Sequence, residues 1–279
     1  MIKKMPDEEY FALDRINQST IKDILSMSPS EFRYKKENPK EPTESMKLGT
    51  AVHCLSLEKE DFWNRYATFE PKITKEYKNP KASKEYKDQY KQFLEENKGK
   101  IVLDYEFYSK AKEMANRVEQ SGYLSNPKAL RENVILQNAF GHDCKIKVDY
   151  LDVENKLFVD LKTTSDSLDD DSLMRHILQW GFNLQACFYN EAIKQQFGEY
   201  FITVFLVIRT TPPYDIRPII LDHETDSEFF ELGEKQIIKG LEKLEKCNRE
   251  GVWEDNSQNP FYLKNIPAWY RRKIEGEDG

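Results

Sequence analysis

The stretch that decides the fold is residues 144–164, which read CKIKVDYLDVENKLFVDLKTT. Apolar and polar residues alternate on both sides of a turn-like segment, residues 153–156, and a period of two predicts β-strands. The two strands of this hairpin would carry Asp149 and Asp160 side by side. Because strand side chains alternate between faces, Lys162 shares a face with Asp160. Two carboxylates and one ammonium are therefore expected in one small volume.

The D-x10-D-x-K spacing indicates metal chemistry. Carboxylate oxygens are hard ligands that suit Mg²⁺ or Mn²⁺, and a lysine beside the metal can orient or help deprotonate an attacking water. Asp160 also lies where an apolar strand runs into polar chain, at the end where open α/β sheets tend to place ligands. In a chain with 33% charged residues the three residues alone are not specific, so their context has to decide.

Two further pairs stand at helical spacing. Gln185 and Tyr189 are four residues apart and share one face of a predicted helix. Upstream, Gly49 and His53 lie one turn apart on an otherwise apolar helix that begins near residue 44. A single histidine on such a helix is more often a core residue than a ligand, but an imidazole nitrogen is also an ordinary metal ligand.

Taken in order, G-x3-H, D-x10-D-x-K and Q-x3-Y resemble the motifs of PD-(D/E)xK nucleases of the RecB-like branch. More narrowly, they resemble phage and prophage exonucleases of the exodeoxyribonuclease VIII (RecE) type. The resemblance implies an α/β fold: a restriction-endonuclease-like core with a mixed central sheet flanked by helices, and an N-terminal helical elaboration. It also implies one or two Mg²⁺ or Mn²⁺ ions per site, held by His53, Asp149, Asp160 and the backbone carbonyl of Leu161.

The resemblance assigns the remaining motif residues as well. Lys162 would serve the attacking water, while Gln185 and Tyr189 would support the site and the DNA strand. The implied activity is hydrolysis of double-stranded DNA from free ends, in the 5′-to-3′ direction, in phage-type recombination. The implied assembly is a ring-shaped homo-oligomer that works with a single-strand annealing protein in the cytoplasm of a bacterial host cell.

Three positions depart from the family pattern. Val148 replaces the proline of the family name, and Asp160 stands where many relatives have glutamate. Relatives often place a further glutamate ligand on the preceding strand, where this chain reads VILQ at residues 134–137. Either Gln137 replaces that ligand through its amide oxygen, or Glu132 contributes from further back, or a second metal is held more weakly.

The chain reads as one nuclease domain, residues 1–279. It divides into a mainly helical part (1–130), an α/β catalytic core (131–250) and a tail (251–279). A helix capped by Ser19 or Thr20 is expected to end at Pro29. A single helix is expected from about residue 169 to 196 despite Gly181. The other predicted helices cover about 44–57, 83–96, 106–120 and 227–247, and the predicted strands cover 133–139, 143–151, 157–161, 200–208 and 216–221.

Composition limits the function classes. The chain is 39% hydrophobic, which favours a folded protein over a disordered one. Its net charge of −7 argues against a protein that coats nucleic acid through overall charge. The longest nearly apolar run, residues 201–208, is far below the roughly 20 residues of a membrane helix. Residues 1–14 contain no apolar segment typical of a secretion signal. We therefore expect a cytoplasmic location and no membrane partner.

A lysine-rich stretch, residues 72–100, offers a local basic patch, although a solvated helix face explains it equally well. DNA contacts are predicted there, and two threonines after Lys162 could donate to a phosphate. The predicted contacts are Lys78, Lys81, Lys84, Lys87, Thr163 and Thr164. Two alternatives stay open: a structure-specific or restriction-type endonuclease on the same fold, and a non-catalytic DNA-binding protein.

Overall fold

The computed structural model describes residues 1–73, 78–257 and 265. Its helices are Asp7–Ala12 (α1), Gln18–Ser26 (α2), Pro29–Glu37 (α3), Glu44–Leu57 (α4), Phe62–Arg65 (α5), Lys84–Glu96 (α6), Tyr105–Gln120 (α7), Asp170–Gln179 (α8), Phe182–Phe197 (α9) and Ser227–Glu250 (α10). Its strands are Ile2–Lys4 (β1), Tyr66–Phe69 (β2), Ile101–Asp104 (β3), Leu130–Ala139 (β4), His142–Asp152 (β5), Leu157–Thr164 (β6), Ile202–Arg209 (β7) and Ile216–Leu221 (β8).

The central sheet has the order β1-β4-β5-β6-β7-β8 and is mostly antiparallel. Only β6 and β7 pair in parallel, and the connection between them carries α8 and α9. This mixed sheet with flanking helices confirms the predicted α/β fold. Strand β7 is buried along nearly its whole length, as expected for an apolar strand covered on both faces.

Each face of the sheet has its own hydrophobic core. On one face, alternate residues of β6 and β7 such as Phe158 and Phe205 pack with α2, α9 and α10. On the other face, Val159 and Leu206 pack with α4 and α7. Side chains that reach the sheet from α4 and from α9 therefore approach it from opposite sides.

The N-terminal helices differ from the prediction at Pro29. The preceding helix α2 already ends at Ser26, and Pro29 begins the next helix, α3. The side chain of Ser28 accepts from Glu31 N (3.2 Å), and Glu31 Oε2 accepts from Ser28 N (2.9 Å), which is a capping box. Proline fits the first position of a helix because the amide hydrogen it lacks would have no partner there. The cap of α2 is Asn17, one turn before Thr20, rather than Ser19 or Thr20.

The predicted long helix from residue 169 to 196 is wrong. It is two helices, α8 and α9, that meet at Trp180 and Gly181. Gly181 has φ +63°, in the left-handed region that favours glycine, so the helical hydrogen bonding stops there and restarts in a new direction.

The sequence patterns missed the short strands. Strand β1 pairs with β4, while β2 and β3 form a separate two-stranded parallel sheet. Strand β2 ends in buried Phe69, whose ring contacts Tyr86, Tyr90 and Phe93 of α6. The aromatic residues that alternate with the lysines therefore hold α6 in place. Residues 74–77 of the lysine-rich stretch, and all of the predicted tail except 251–257 and 265, lie outside the described residues.

Among the described residues, no helix combines the length and the apolar character needed to cross a membrane.

Candidate metal centre

The hairpin of β5 and β6 brings Asp149 and Asp160 to the same place. The last registered pair of the two strands is Tyr150 with Val159, so the two aspartates are the next pair along the strands. There the strands separate, and the Asp149 carboxylate accepts a hydrogen bond from the backbone amide of Leu161 (2.8 Å). Because the strands separate at this point, helices from both faces of the sheet can reach the same opening.

His53 enters from α4. Its Nε2 lies 2.8 Å from the carbonyl oxygen of Leu161, and its Nδ1 lies 3.5 Å from Asp149 Oδ2. Gly49, one turn earlier, makes this approach possible, because a Cβ at that position would lie 3.3 Å from Thr163 Oγ1. The G-x3-H spacing thus combines a close contact between helix and strand with an imidazole directed at the carboxylates.

Glu132 completes the cluster. Among the described residues, His53, Glu132 and Asp149 each offer a ligand atom, and these atoms lie within 4.8 Å of one another. Glu132 stands opposite Asp149 in the β4–β5 register, between the pairs Arg131 with Tyr150 and Asn133 with Val148. Its φ of +53° is unusual for a non-glycine residue and interrupts the strand geometry.

Gln137, the other candidate for the extra ligand, lies elsewhere. It pairs with Cys144 in the β4–β5 register, which places it about 16 Å along the strands from the Glu132–Asp149 level. Its side-chain amide donates to Gln196 (2.7 Å). The suggestion that Gln137 replaces the missing glutamate is therefore wrong. The sequence held a signal for Glu132, since a hairpin turn at residues 140–141 sets 132 opposite 149.

Asp160 is held by two side chains. Gln185 Nε2 donates to Asp160 Oδ1 (2.5 Å), and Lys162 Nζ lies 2.5 Å from Asp160 Oδ2. The lysine contact is ionic without hydrogen-bond alignment, so Oδ2 is buried with no hydrogen bond among the described residues. The Lys162 ammonium compensates the charge of Oδ2, and an oxygen without a hydrogen bond can still coordinate a cation.

Tyr189 supports the site through the backbone of β5 rather than through the carboxylates. Its hydroxyl donates to the carbonyl of Lys147 (3.2 Å), and its ring stacks on Phe158. Tyr189 thus holds β5 two residues before Asp149. Lys147 in turn places its ammonium between Glu132 (2.8 Å) and Asp7 (2.6 Å).

The cluster concentrates negative charge in a poorly solvated place. Burial raises the pKa of Asp149, the carboxylates of Asp160 and Glu132 raise it further, and His53 and Lys162 oppose them. A divalent cation would reverse this balance because it stabilises ionised carboxylates. One imidazole, carboxylates and a backbone carbonyl form a donor set that fits Mg²⁺ or Mn²⁺.

The predicted DNA contacts divide into two groups. Lys78, Lys81, Lys84 and Lys87 are exposed, on α6 or just before it. The threonines are engaged elsewhere: Thr163 faces Gly49, and Thr164 is buried and accepts from the amide of Asp166 (3.0 Å). Because Thr164 is buried and already accepts one hydrogen bond, its contact with a phosphate stays a prediction.

Comparison with known proteins agrees with this geometry. Residues 18–265 match the model of a family described as a PDDEXK-like domain of unknown function (DUF3799). The chain belongs to this family. The match covers most of the chain and includes all the motif residues from Gly49 to Tyr189, so the PD-(D/E)xK resemblance is confirmed at this level.

Comparison with solved structures gives one match that shares the fold. A provisionally assigned exonuclease from Eubacterium rectale has 18% sequence identity and a TM-score of 0.62, with 98% of each chain covered. The structure of SSO0001 has 14% identity and a TM-score of 0.32, with 83% of this chain and 81% of that chain covered, and at this score the two folds are not shown to be the same. No curated protein matches the sequence. The family match supports a nuclease.

Proposed function

We propose that this DUF3799 protein is a divalent-metal-dependent deoxyribonuclease that hydrolyses phosphodiester bonds of double-stranded DNA from free ends, with Mg²⁺ as its natural metal. One observation carries the proposal. Ligand atoms of His53, Glu132 and Asp149 converge within 4.8 Å beside the contact between Asp160 and Lys162. An imidazole, three carboxylates and one ammonium in this arrangement match the requirements of metal-assisted phosphodiester hydrolysis.

The residues divide the work. His53, Glu132, Asp149, Asp160 and the carbonyl of Leu161 would hold the metal, whose charge would stabilise the developing charge on the phosphoryl oxygens. The Lys162 ammonium lies next to Asp160, where it can orient the attacking water by donating a hydrogen bond.

Neighbouring side chains keep that pair in position. Gln185 fixes the rotamer of Asp160 through its 2.5 Å hydrogen bond. Lys162 Nζ also lies 5.8 Å from the ring centroids of Phe182 and Phe205, which limits where the ammonium can move. Tyr189 fixes the strand that carries Asp149 through the Lys147 carbonyl.

The finer parts of the proposal rest on the resemblance to RecE-type exonucleases. They are 5′-to-3′ digestion, a role in phage-type recombination beside a single-strand annealing protein, a ring-shaped homo-oligomer and a cytoplasmic location. Lys84, Lys87 and Lys91 follow the 3–4 spacing of one face of α6, and all three are exposed. In a ring, this basic face could line the DNA channel. Reversing the charges of Lys81, Lys84 and Lys87 should then reduce the salt dependence of DNA binding.

The test compares linear and covalently closed circular duplex DNA in Mg²⁺, in Mn²⁺ and with excess chelator. We expect metal-dependent loss of the linear DNA only. Asp160→Asn should reduce the rate by at least about 10³-fold with little change in melting temperature, because it removes charge without volume. Asp143→Asn is the matched control, since Asp143 is an exposed aspartate on the neighbouring strand β5.

Other outcomes discriminate between the alternatives. Cutting of the closed circle would favour an endonuclease on the same fold. DNA binding without cleavage under every metal condition would favour a non-catalytic DNA-binding protein. Full activity of Asp160→Asn would refute the site.

A further inference from the structure

One lysine beside the site lacks a partner of its own. Lys22 lies on α2 with its side chain partly buried, and within the described residues it makes no hydrogen bond and no salt bridge. Its neighbour Asp23 is already occupied by Lys35 (2.7 Å). Burying an ammonium without a partner is costly, so such a group needs an explanation.

The stem of Lys22 shows where the ammonium lies. It crosses Gly181, at the junction of α8 and α9, so closely that a Cβ there would be 3.2 Å from Cε of Lys22. The next residue, Phe182, has its ring 5.8 Å from the ammonium of Lys162. Lys22 and Lys162 therefore both lie near the α8–α9 junction, Lys22 against Gly181 and Lys162 near the ring of Phe182.

The charges near this junction do not balance locally. Burial and the nearby Lys162 ammonium lower the pKa of Lys22 to about 8, while Asp160 and Asp23 act in the opposite sense. Asp160 is already in contact with Lys162. The ammonium groups of Lys22 and Lys162 are thus close enough to repel each other, and a phosphate bound between them would relieve that repulsion.

We propose that Lys22 is a phosphate-binding residue that contacts a backbone phosphate of the DNA strand lying in the metal site. The inference rests on the proposed nuclease function and adds a residue to it. Lysine binds phosphate as a point charge and needs only an unobstructed approach. Gly181 leaves room for the Lys22 stem to extend past the α8–α9 junction, because a side chain at that position would displace the stem.

The test measures binding of a short end-labelled DNA duplex in Ca²⁺ across a salt series, and cleavage of the same duplex in Mg²⁺. Lys22→Met keeps the aliphatic stem over Gly181 and removes the charge. We expect it to weaken binding about tenfold at low salt and to reduce the slope of log K against log salt by about 1. Lys22→Arg should retain most of the binding.

Controls separate this inference from the proposed function. Lys239→Met removes an exposed lysine of α10 and should leave affinity and slope unchanged. Lys22→Gln serves as a second neutral variant if the methionine variant melts early. Wild-type affinity and slope in a folded neutral variant, with wild-type cleavage intact, would overturn the role of Lys22 and leave the nuclease standing. A wild-type protein that neither binds nor cleaves DNA would overturn both.

Discussion

Replacing Glu132 by Gln tests the metal centre at the ligand that the sequence patterns did not single out. The side chain keeps its length and an oxygen acceptor but loses its charge. Two roles are then separable: Glu132 as a partner of the Lys147 ammonium, and Glu132 as a metal ligand beside His53 and Asp149. Only the second role makes the effect of the substitution depend on metal.

The structure sets the size of both effects. The Glu132 side chain is 13% exposed and lies 2.8 Å from Lys147, so losing this charged hydrogen bond should cost about 1–2 kcal/mol of folding free energy without metal. Loss of a ligand should weaken Mn²⁺ binding at least about tenfold. At saturating metal that is a further loss of about 1.4 kcal/mol, or roughly 2–3 °C of the metal-induced rise in melting temperature.

Asp7→Asn is the matched control. Asp7 lies 2.6 Å from the same Lys147 ammonium, but its side chain is 59% exposed and it is outside the ligand cluster. Its replacement should cost less than about 1 kcal/mol and leave the metal-induced rise unchanged. The assay is thermal unfolding of wild type and both variants, with chelator and across a Mn²⁺ titration. An equal metal-induced rise in all three proteins would refute the assignment of Glu132 as a ligand.

Three further substitutions test other features of the site and fold. Gly49→Ala should stabilise α4 by up to about 1 kcal/mol through helix propensity, offset by the contact of the new Cβ with Thr163, while activity falls several-fold because His53 shifts. Thermal melts and rate measurements test this, and unchanged activity would contradict it. Asn190→Ala should destabilise by about 2–4 kcal/mol, measured by urea unfolding, because buried Asn190 bonds Thr203 Oγ1 and the amide of Phe201. Without metal, the raised pKa of Asp149 means that the folded protein binds a proton at this carboxyl more tightly than the unfolded chain does. Protonated Asp149 therefore contributes to folding stability at low pH, and that contribution is lost as pH rises through the raised pKa. Asp149→Asn should therefore stabilise the metal-free protein more at pH 8 than at pH 5, and an equal effect at both would contradict this.

Much of the site follows from local periodicity. The strand pattern around Asp149 and Asp160 has only one register that keeps its apolar residues inside, and the turn between the strands is short. The four-residue spacings of His53 from Gly49 and of Tyr189 from Gln185 need only an intact helix to place both members on one face. The sequence predicts these motifs because each depends on a few neighbouring residues.

The sequence left Glu132 as one of several options for the extra ligand, and it gave no indication of Lys22. Glu132 adopts φ +53°, a conformation that no strand pattern predicts, although the hairpin register does set it opposite Asp149. Lys22 belongs to a helix that reaches the site only through packing of α2 against α9 and α10. No local signal distinguishes a lysine that reaches an active site from one that lies in solvent.

The break at Gly181 links the support of Asp160 to the position of Lys22. An uninterrupted helix over α8 and α9 would be about 42 Å long, whereas β6, which it must cross before β7 begins, spans only about 26 Å. A continuous helix could therefore not place Gln185 against Asp160 and also return the chain to β7 over a short distance. The left-handed residue at 181 redirects the chain so that α9 packs along the sheet, and its missing side chain leaves the channel that the Lys22 stem occupies. A substitution at Gly181 should thus disturb the support of Asp160 and the position of Lys22 together, because one backbone turn determines both.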